Sequence, residues 1–137
     1  MNKWQKNVRA FQRMFGFAHP RDLTLPTPEL LYFRRRLVAE EANELVDALA
    51  EGDLAKIAGE CVDLLYVTIG AAVSCGIDLA PHFRAVHAAN MRKTPPARPG
   101  QKAQKLAGWQ APDHVAILCR SLDRCWWKPW SWFRKQG

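Results

Sequence analysis

No run of about 18 consecutive apolar residues occurs in this 137-residue chain, so no membrane-spanning helix is expected. The opening Met1-Asn2-Lys3-Trp4-Gln5-Lys6-Asn7 lacks the apolar core of a secretory signal. Four cysteines, at 61, 75, 119 and 125, form no C-x-x-C pair. Cys61 and Cys75 fall on one expected helix, about 21 Å apart at 1.5 Å per residue, which is too far to bridge. Reduced thiols in a cytoplasmic protein are the expectation. His19, His82, His87 and His114 show no metal-ligand spacing; His82 and His87 are five apart and diverge on a helix, so no zinc site is expected. No alternating apolar–polar run is long enough for a useful strand. Acidic residues are scarce late in the chain: residues 95–137 carry eight Lys or Arg against Asp113 and Asp123, within a net charge of +7.

What remains is helical. Apolar residues make up 48% of the chain, enough for one domain with a small core. Val8, Phe11, Met14 and Phe15 recur at helical spacing over residues 5–17. Pro20, Pro26 and Pro28 mark an extended loop. Thr27 is the expected N-cap of a second helix over 28–51, with Pro28 at its first position. Gly52 suits the C-terminal cap and Asp53 the next N-cap, so a third helix is expected over 54–75. Gly76 ends it. Asp78 is expected to cap a fourth helix over 79–93, with Leu79, Phe83 and Val86 as its apolar stripe, and a Pro-rich loop follows. The expected fold is all-α, a four-helix bundle-like core over residues 1–118, with a mostly irregular basic extension over 119–137. The third helix is apolar almost all round from Ile57 to Val73, which implies burial on every side. Three short helices supply little cover for it, so a homo-oligomer, dimer or tetramer, is expected.

Five carboxylates interrupt this apolar pattern: Glu40, Glu41 and Glu44 on the second helix, Glu60 and Asp63 on the third. Residues three or four apart share a helix face. Leu37, Leu45, Ala48 and Leu49 lie on or beside the face of Glu41 and Glu44. Carboxylates aimed toward an apolar interior are costly unless paired or metal-bound. Glu44 lies about two turns before the Gly52-Asp53 break and Glu60 about two turns after it, at roughly 3.6 residues per turn, so the clusters meet at one height. Hard divalent cations want such oxygen ligands. The reading is a magnesium site, and magnesium points to phosphate chemistry. The bland alternative is a solvated acidic face.

These residues resemble the MazG-like all-α nucleoside triphosphate pyrophosphohydrolases, which include phosphoribosyl-ATP pyrophosphohydrolase relatives. The resemblance lies in Glu40, Glu41 and Glu44, then Glu60 and Asp63 after 15 intervening residues, then His87-Ala88-Ala89-Asn90-Met91-Arg92-Lys93. Gly100-Gln101-Lys102, Lys105 and Pro112-Asp113 resemble a further family segment. Ala89 and Arg92 stand where many members carry serine. The resemblance spans roughly residues 5–118. It implies attack of water on the α-phosphorus of a nucleoside triphosphate, giving monophosphate and pyrophosphate. Carried over residue by residue, Glu41, Glu44, Glu60 and Asp63 would hold Mg²⁺, for which Mn²⁺ can substitute. Glu40 and Glu41 are the catalytic candidates, Glu40 as the group that orients or deprotonates water or binds a second ion. Asn90 and Lys93 would meet the phosphates; Lys102 and Lys105 are candidates for the outer phosphates, with a solvated loop as the alternative reading of these two lysines. Compact phage-encoded members converting dGTP to dGMP make dGTP the substrate expectation.

Arg13, Phe15 and Tyr66, with Trp4, are candidates to line a base pocket; for Phe15 and Tyr66 ordinary core packing is the alternative. The extension carries four of the six tryptophans, interleaved with cations. That pattern suits packing on the chain's own oligomer, a membrane interface or single-stranded nucleic acid. The competing function is therefore a non-enzymatic basic helical protein that binds nucleic acid or membrane through its tail. Five inward carboxylates would serve no such binder.

Overall fold

The computed structural model describes residues 1–122, and the Trp-rich segment 123–137 lies outside the described residues. The described chain is all-α: α1 (Lys3–Met14), α2 (Pro28–Glu51), α3 (Leu54–Ser74), α4 (Leu79–Asn90) and α5 (His114–Leu122). It divides into two compact units, Met1–Leu79 and Ala80–Gly137.

The first unit is built on caps that the local sequence supplies. Asn2 accepts from the Gln5 amide at 2.8 Å and starts α1. Thr27 caps α2 with Pro28 in its first turn. Gly52, at φ 73°, ends α2, and the Asp53 carboxylate accepts from the amides of Ala55 and Lys56 to begin α3. The helices α2 and α3 therefore form a tight antiparallel hairpin. α1 ends three residues earlier than its periodicity predicts. Gly16 turns left-handed at φ 70°, and the Phe17 amide bonds the Gln12 carbonyl at 2.8 Å, a Schellman closure. The same device closes α3: Gly76 sits at φ 67° and the Ile77 amide bonds the Ala72 carbonyl at 3.0 Å.

α1 and α2 both pack on α3. The centre of the unit is Val8 from α1 against Ile69 and Val73 from α3, with Leu79 at the edge. A fully buried aliphatic side chain of this kind contributes about 1.5–3 kcal/mol. Buried amides flank it. Gln5 donates to the Ile77 carbonyl and accepts from the Leu79 amide at 3.1 Å, holding the exit of α3 against α1. Gln12 donates to the Gly70 carbonyl at 2.9 Å. Arg34, nearly buried, donates to Ser74 Oγ at 3.0 Å and lies over the rings of Phe17 and Phe33.

The expectation that α3 is buried all round holds for its C-terminal half alone within one chain. Ile69, Gly70, Ala72, Val73 and Ser74 are buried, whereas Val62 is 59% exposed and Leu65 and Tyr66 are partly open. Its length and mean hydropathy would allow a membrane crossing, but Glu60 and Asp63 lie within it and two helices pack along it. It is the core helix of this unit. Leu49, expected beside the acidic face, is 58% exposed, while Ala48 is buried.

In the second unit α4 stops at Asn90 rather than near 93, and a turn follows in which the Lys93 amide bonds the Asn90 carbonyl at 3.0 Å. A Thr94–Gln104 bridge closes the Pro-rich loop. α5, which the sequence pattern did not show, begins where Asp113 caps the Ala116 amide at 2.9 Å. The described cysteines, Cys61, Cys75 and Cys119, are free thiols.

Candidate metal centre

The α2–α3 hairpin carries the acids. Glu40 and Glu41 are adjacent on α2 with Glu44 about one turn later, and Glu60 and Asp63 lie about one turn apart on α3. Ligand oxygens of Glu41, Glu60 and Asp63 all lie within 4.8 Å of one another. Glu41 and Glu60 are half-buried and Asp63 is exposed. Glu44, exposed on α2, is near enough for Glu60 and Asp63 to oppose its ionisation. Glu40 is exposed at the edge of the same group.

The electrostatics follow from crowding. The Glu41 carboxyl is pushed above the ordinary carboxylate range, first by partial desolvation and then by Glu44, Asp63, Glu40 and Glu60. Glu44 is pushed up by desolvation, then by Glu60, Glu40 and Asp63. Like charges gathered this closely oppose one another's ionisation. A divalent cation removes that conflict, and an all-oxygen carboxylate set is the donor chemistry that Mg²⁺, Mn²⁺ and Ca²⁺ prefer. The residues present therefore fit a hard divalent ion. Lys56, ion-paired with Glu51, also attracts Glu60 and offsets a little of this repulsion.

Residues 8–90, more than half of the chain, match the family described as Phosphoribosyl-ATP pyrophosphohydrolase. The chain belongs to the phosphoribosyl-ATP pyrophosphohydrolase family. Members of this family are pyrophosphohydrolases, enzymes acting on phosphoric anhydrides. A protein of Acanthamoeba polyphaga mimivirus, named "Uncharacterized protein L479", is 37% identical over 78 residues, 53% of this chain and 30% of the viral protein. The chain thus spans under a third of that relative's length. All five acids and Asn90 fall inside the family span, while Lys93, Lys102 and Lys105 lie beyond its end.

The remaining candidates are distributed as follows. Asn90, at the end of α4, is exposed, and Lys102 is exposed in the loop. The ammonium groups of Lys93 and Lys105 lie 5.5 and 4.4 Å from the ring centroid of Trp109, whose indole N–H donates to the Ala89 carbonyl at 2.8 Å. Trp109 gathers these two cations through cation–π attraction. Nothing local in the sequence marks Trp109 for this role. Phe11 joins Phe15, 4.6 Å away, to Tyr66, 5.7 Å away and edge-on. Tyr66 and Trp4 line one apolar cavity of about 180 Å³ between α1 and α3, with Val8, Val62, Leu65 and Ile69. Arg13 lines a different concavity with other cations. His82 and His114 approach to 2.9 Å between their Nδ1 atoms. They are 32 residues apart, so no spacing rule finds them.

Proposed function

We propose that this chain is a magnesium-dependent nucleoside triphosphate pyrophosphohydrolase. Water attacks the α-phosphorus, the bond between that phosphorus and the bridging oxygen to the β-phosphate breaks, and pyrophosphate leaves with the bridging oxygen. The observation that carries this reading is the convergence of the Glu41, Glu60 and Asp63 oxygens from two helices of a pyrophosphohydrolase-family fold.

Glu41, Glu44, Glu60 and Asp63 would hold the ion. When bound, such an ion neutralises phosphate oxygens and acidifies water. Glu40, which is exposed, would orient the attacking water and accept its proton, or hold a second ion. Asn90 supplies a donor and Lys93, Lys102 and Lys105 supply charge for phosphate oxygens, with Trp109 restraining Lys93 and Lys105. Phosphoryl transfer needs little else beyond positioning and charge neutralisation.

Exposed Trp4, Val62, Leu65 and Tyr66 form an apolar strip along α1 and α3. A second copy of the chain covering this strip is part of the proposal, since monomers rarely leave such a patch to water. Light scattering tests it.

The deciding experiment is a pyrophosphate-release assay over a panel of canonical and modified nucleotides, with Mg²⁺, Mn²⁺ or chelator. dGTP heads the panel because of the resemblance to compact phage-encoded members. Release of pyrophosphate and monophosphate with metal, and neither with chelator, is expected. Orthophosphate released from the γ position would overturn the assignment.

A further inference from the structure

Charge is segregated within the first unit. Residues 1–36 hold eight Lys or Arg against Asp22 and Glu29, whereas residues 37–79 hold nine acids against Lys56. The acids make the metal centre. Part of the basic half builds a second feature, a concavity of about 360 Å³ on α1 and the loop that follows it, lined by Lys6, Arg9, Ala10, Arg13, His19 and Arg21.

The pocket follows from α1's periodicity and from one fixed turn. Val8, Gln5 and Gln12 are turned into the core, which puts Lys6, Arg9, Ala10 and Arg13 on the opposite side of the helix. The loop is folded back over this face by Arg9. Its Nη2 donates to the His19 and Pro20 carbonyls, both at 2.7 Å. That pair of bonds spends two N–H groups and leaves the guanidinium charge in the wall. His19 is held in turn by its Nδ1 donating to the Phe17 carbonyl at 2.7 Å, which directs Nε2 away from that bond. Arg21 closes the rim.

Among the described residues that line this pocket there is no carboxylate. Three arginines and a lysine converging on one concavity would repel one another unless an anion neutralises them. Arginine forks match phosphate oxygens in pairs. The volume is at the lower end of small-molecule sites, about 300–1,000 Å³. Among the described residues no Trp, Tyr or Phe lines it, and those residues offer no stacking platform of the kind that single-stranded nucleic acid uses.

We propose that this pocket is an anion site, separate from the metal centre, for a compact ligand carrying linked phosphates. Pyrophosphate and the triphosphate tail of a free nucleotide share that chemistry. Occupied by either, the site would let the protein respond to the phosphate compounds around it without using the acidic cluster.

The test is calorimetric titration of the full chain in chelator, where the metal-free acids repel phosphate. The probes are pyrophosphate, tripolyphosphate, AMP and single-stranded oligonucleotides of increasing length, at low salt. Pyrophosphate and tripolyphosphate should bind with one site per chain, and AMP at least tenfold more weakly. Tripolyphosphate preferred over pyrophosphate identifies a nucleotide tail as the source; the reverse order identifies free pyrophosphate. Lys6→Glu with Arg21→Glu should weaken binding at least tenfold with unchanged helical circular dichroism. Lys6→Gln with Arg21→Gln serves if the reversal unfolds the chain, and should show a smaller loss in the same direction. Lys93→Ala with Lys105→Ala should stay within twofold of the parent. Parent-like binding by the folded Lys6/Arg21 variants would overturn the proposal, as would loss confined to the Lys93/Lys105 variant. So would binding of an oligonucleotide that strengthens with its length while pyrophosphate does not bind. Because chelator is present throughout, absence of hydrolytic activity leaves this result untouched.

Discussion

Gln12 and Gly70 tie α1 to α3 through a buried hydrogen bond. The amide nitrogen of Gln12 donates to the Gly70 carbonyl at 2.9 Å, and a β-carbon at Gly70 would come within 3.2 Å of that nitrogen and 3.3 Å of Arg34 Nη1. Both neighbours are buried and already hydrogen-bonded, so neither yields easily. Gly70→Leu should cost about 1–3 kcal/mol, the usual range for an overpacked core. Gly59→Ala, on the same helix with open space around it, should stabilise by up to about 1 kcal/mol through helix propensity. Urea unfolding of the pair measures both. A Gly70→Leu midpoint at or above the parent's would mean that the contact is loose.

Gly76 is a sharper case. It combines φ 67° with a β-carbon position only 2.0 Å from the Asp22 carbonyl oxygen, which is backbone. Gly76→Ala should destabilise by about 2–4 kcal/mol, adding the left-handed penalty to a steric one. A thermal melt within a degree of the parent would show that the 20s loop moves aside freely.

Removing the acids should separate catalysis from folding. Glu41→Gln, Glu44→Gln, Glu60→Gln or Asp63→Asn is each expected to lower turnover at least about a hundredfold, from the several kcal/mol that metal catalysis supplies. Without metal these variants should melt at or above the parent's temperature, because each removes one of the charges that raise Glu41 and Glu44. Near-parental turnover in any two would reject the centre.

Metal binding should be visible without substrate. Mg²⁺ at about 100 times its dissociation constant is expected to stabilise the fold by about 2.7 kcal/mol. Scanning calorimetry with and without chelator reads this as a higher melting temperature. The Asp63→Asn variant should show a smaller rise, and an equal rise in parent and variant would place the ion elsewhere.

Trp109→Ala should raise KM for the triphosphate severalfold with little change in kcat, since it frees Lys93 and Lys105 rather than touching the reacting atoms. Trp109→Phe, which keeps a ring face, should recover part of the loss. A change in kcat alone would remove Trp109 from phosphate binding.

Much of the first unit was legible in the sequence because its signals are local. Thr27-Pro28 and Gly52-Asp53 are caps that work through bonds spanning three or four residues, and counting turns from Gly52-Asp53 was enough to bring Glu44 and Glu60 level. The ends of α1 and α4 were less legible. Phe15 continues α1's apolar rhythm up to Gly16, whose left-handed turn overrides periodicity. α5 is not legible because the Pro-rich stretch before it obscures Asp113 as a cap. Arg34 in the core, the His82–His114 contact and the Lys93–Trp109–Lys105 group depend on tertiary approach and leave no linear trace. The tail's tryptophans fall outside the described residues.

The Gly52-Asp53 turn also works as a ruler. One residue inserted between Glu44 and Glu60 would rotate the later acids by about 100° and shift them by about 1.5 Å along α3. All five acids would remain in the chain, yet they would no longer face one another. A lineage descended from this protein would therefore accept substitutions within this 15-residue span more readily than a single added codon.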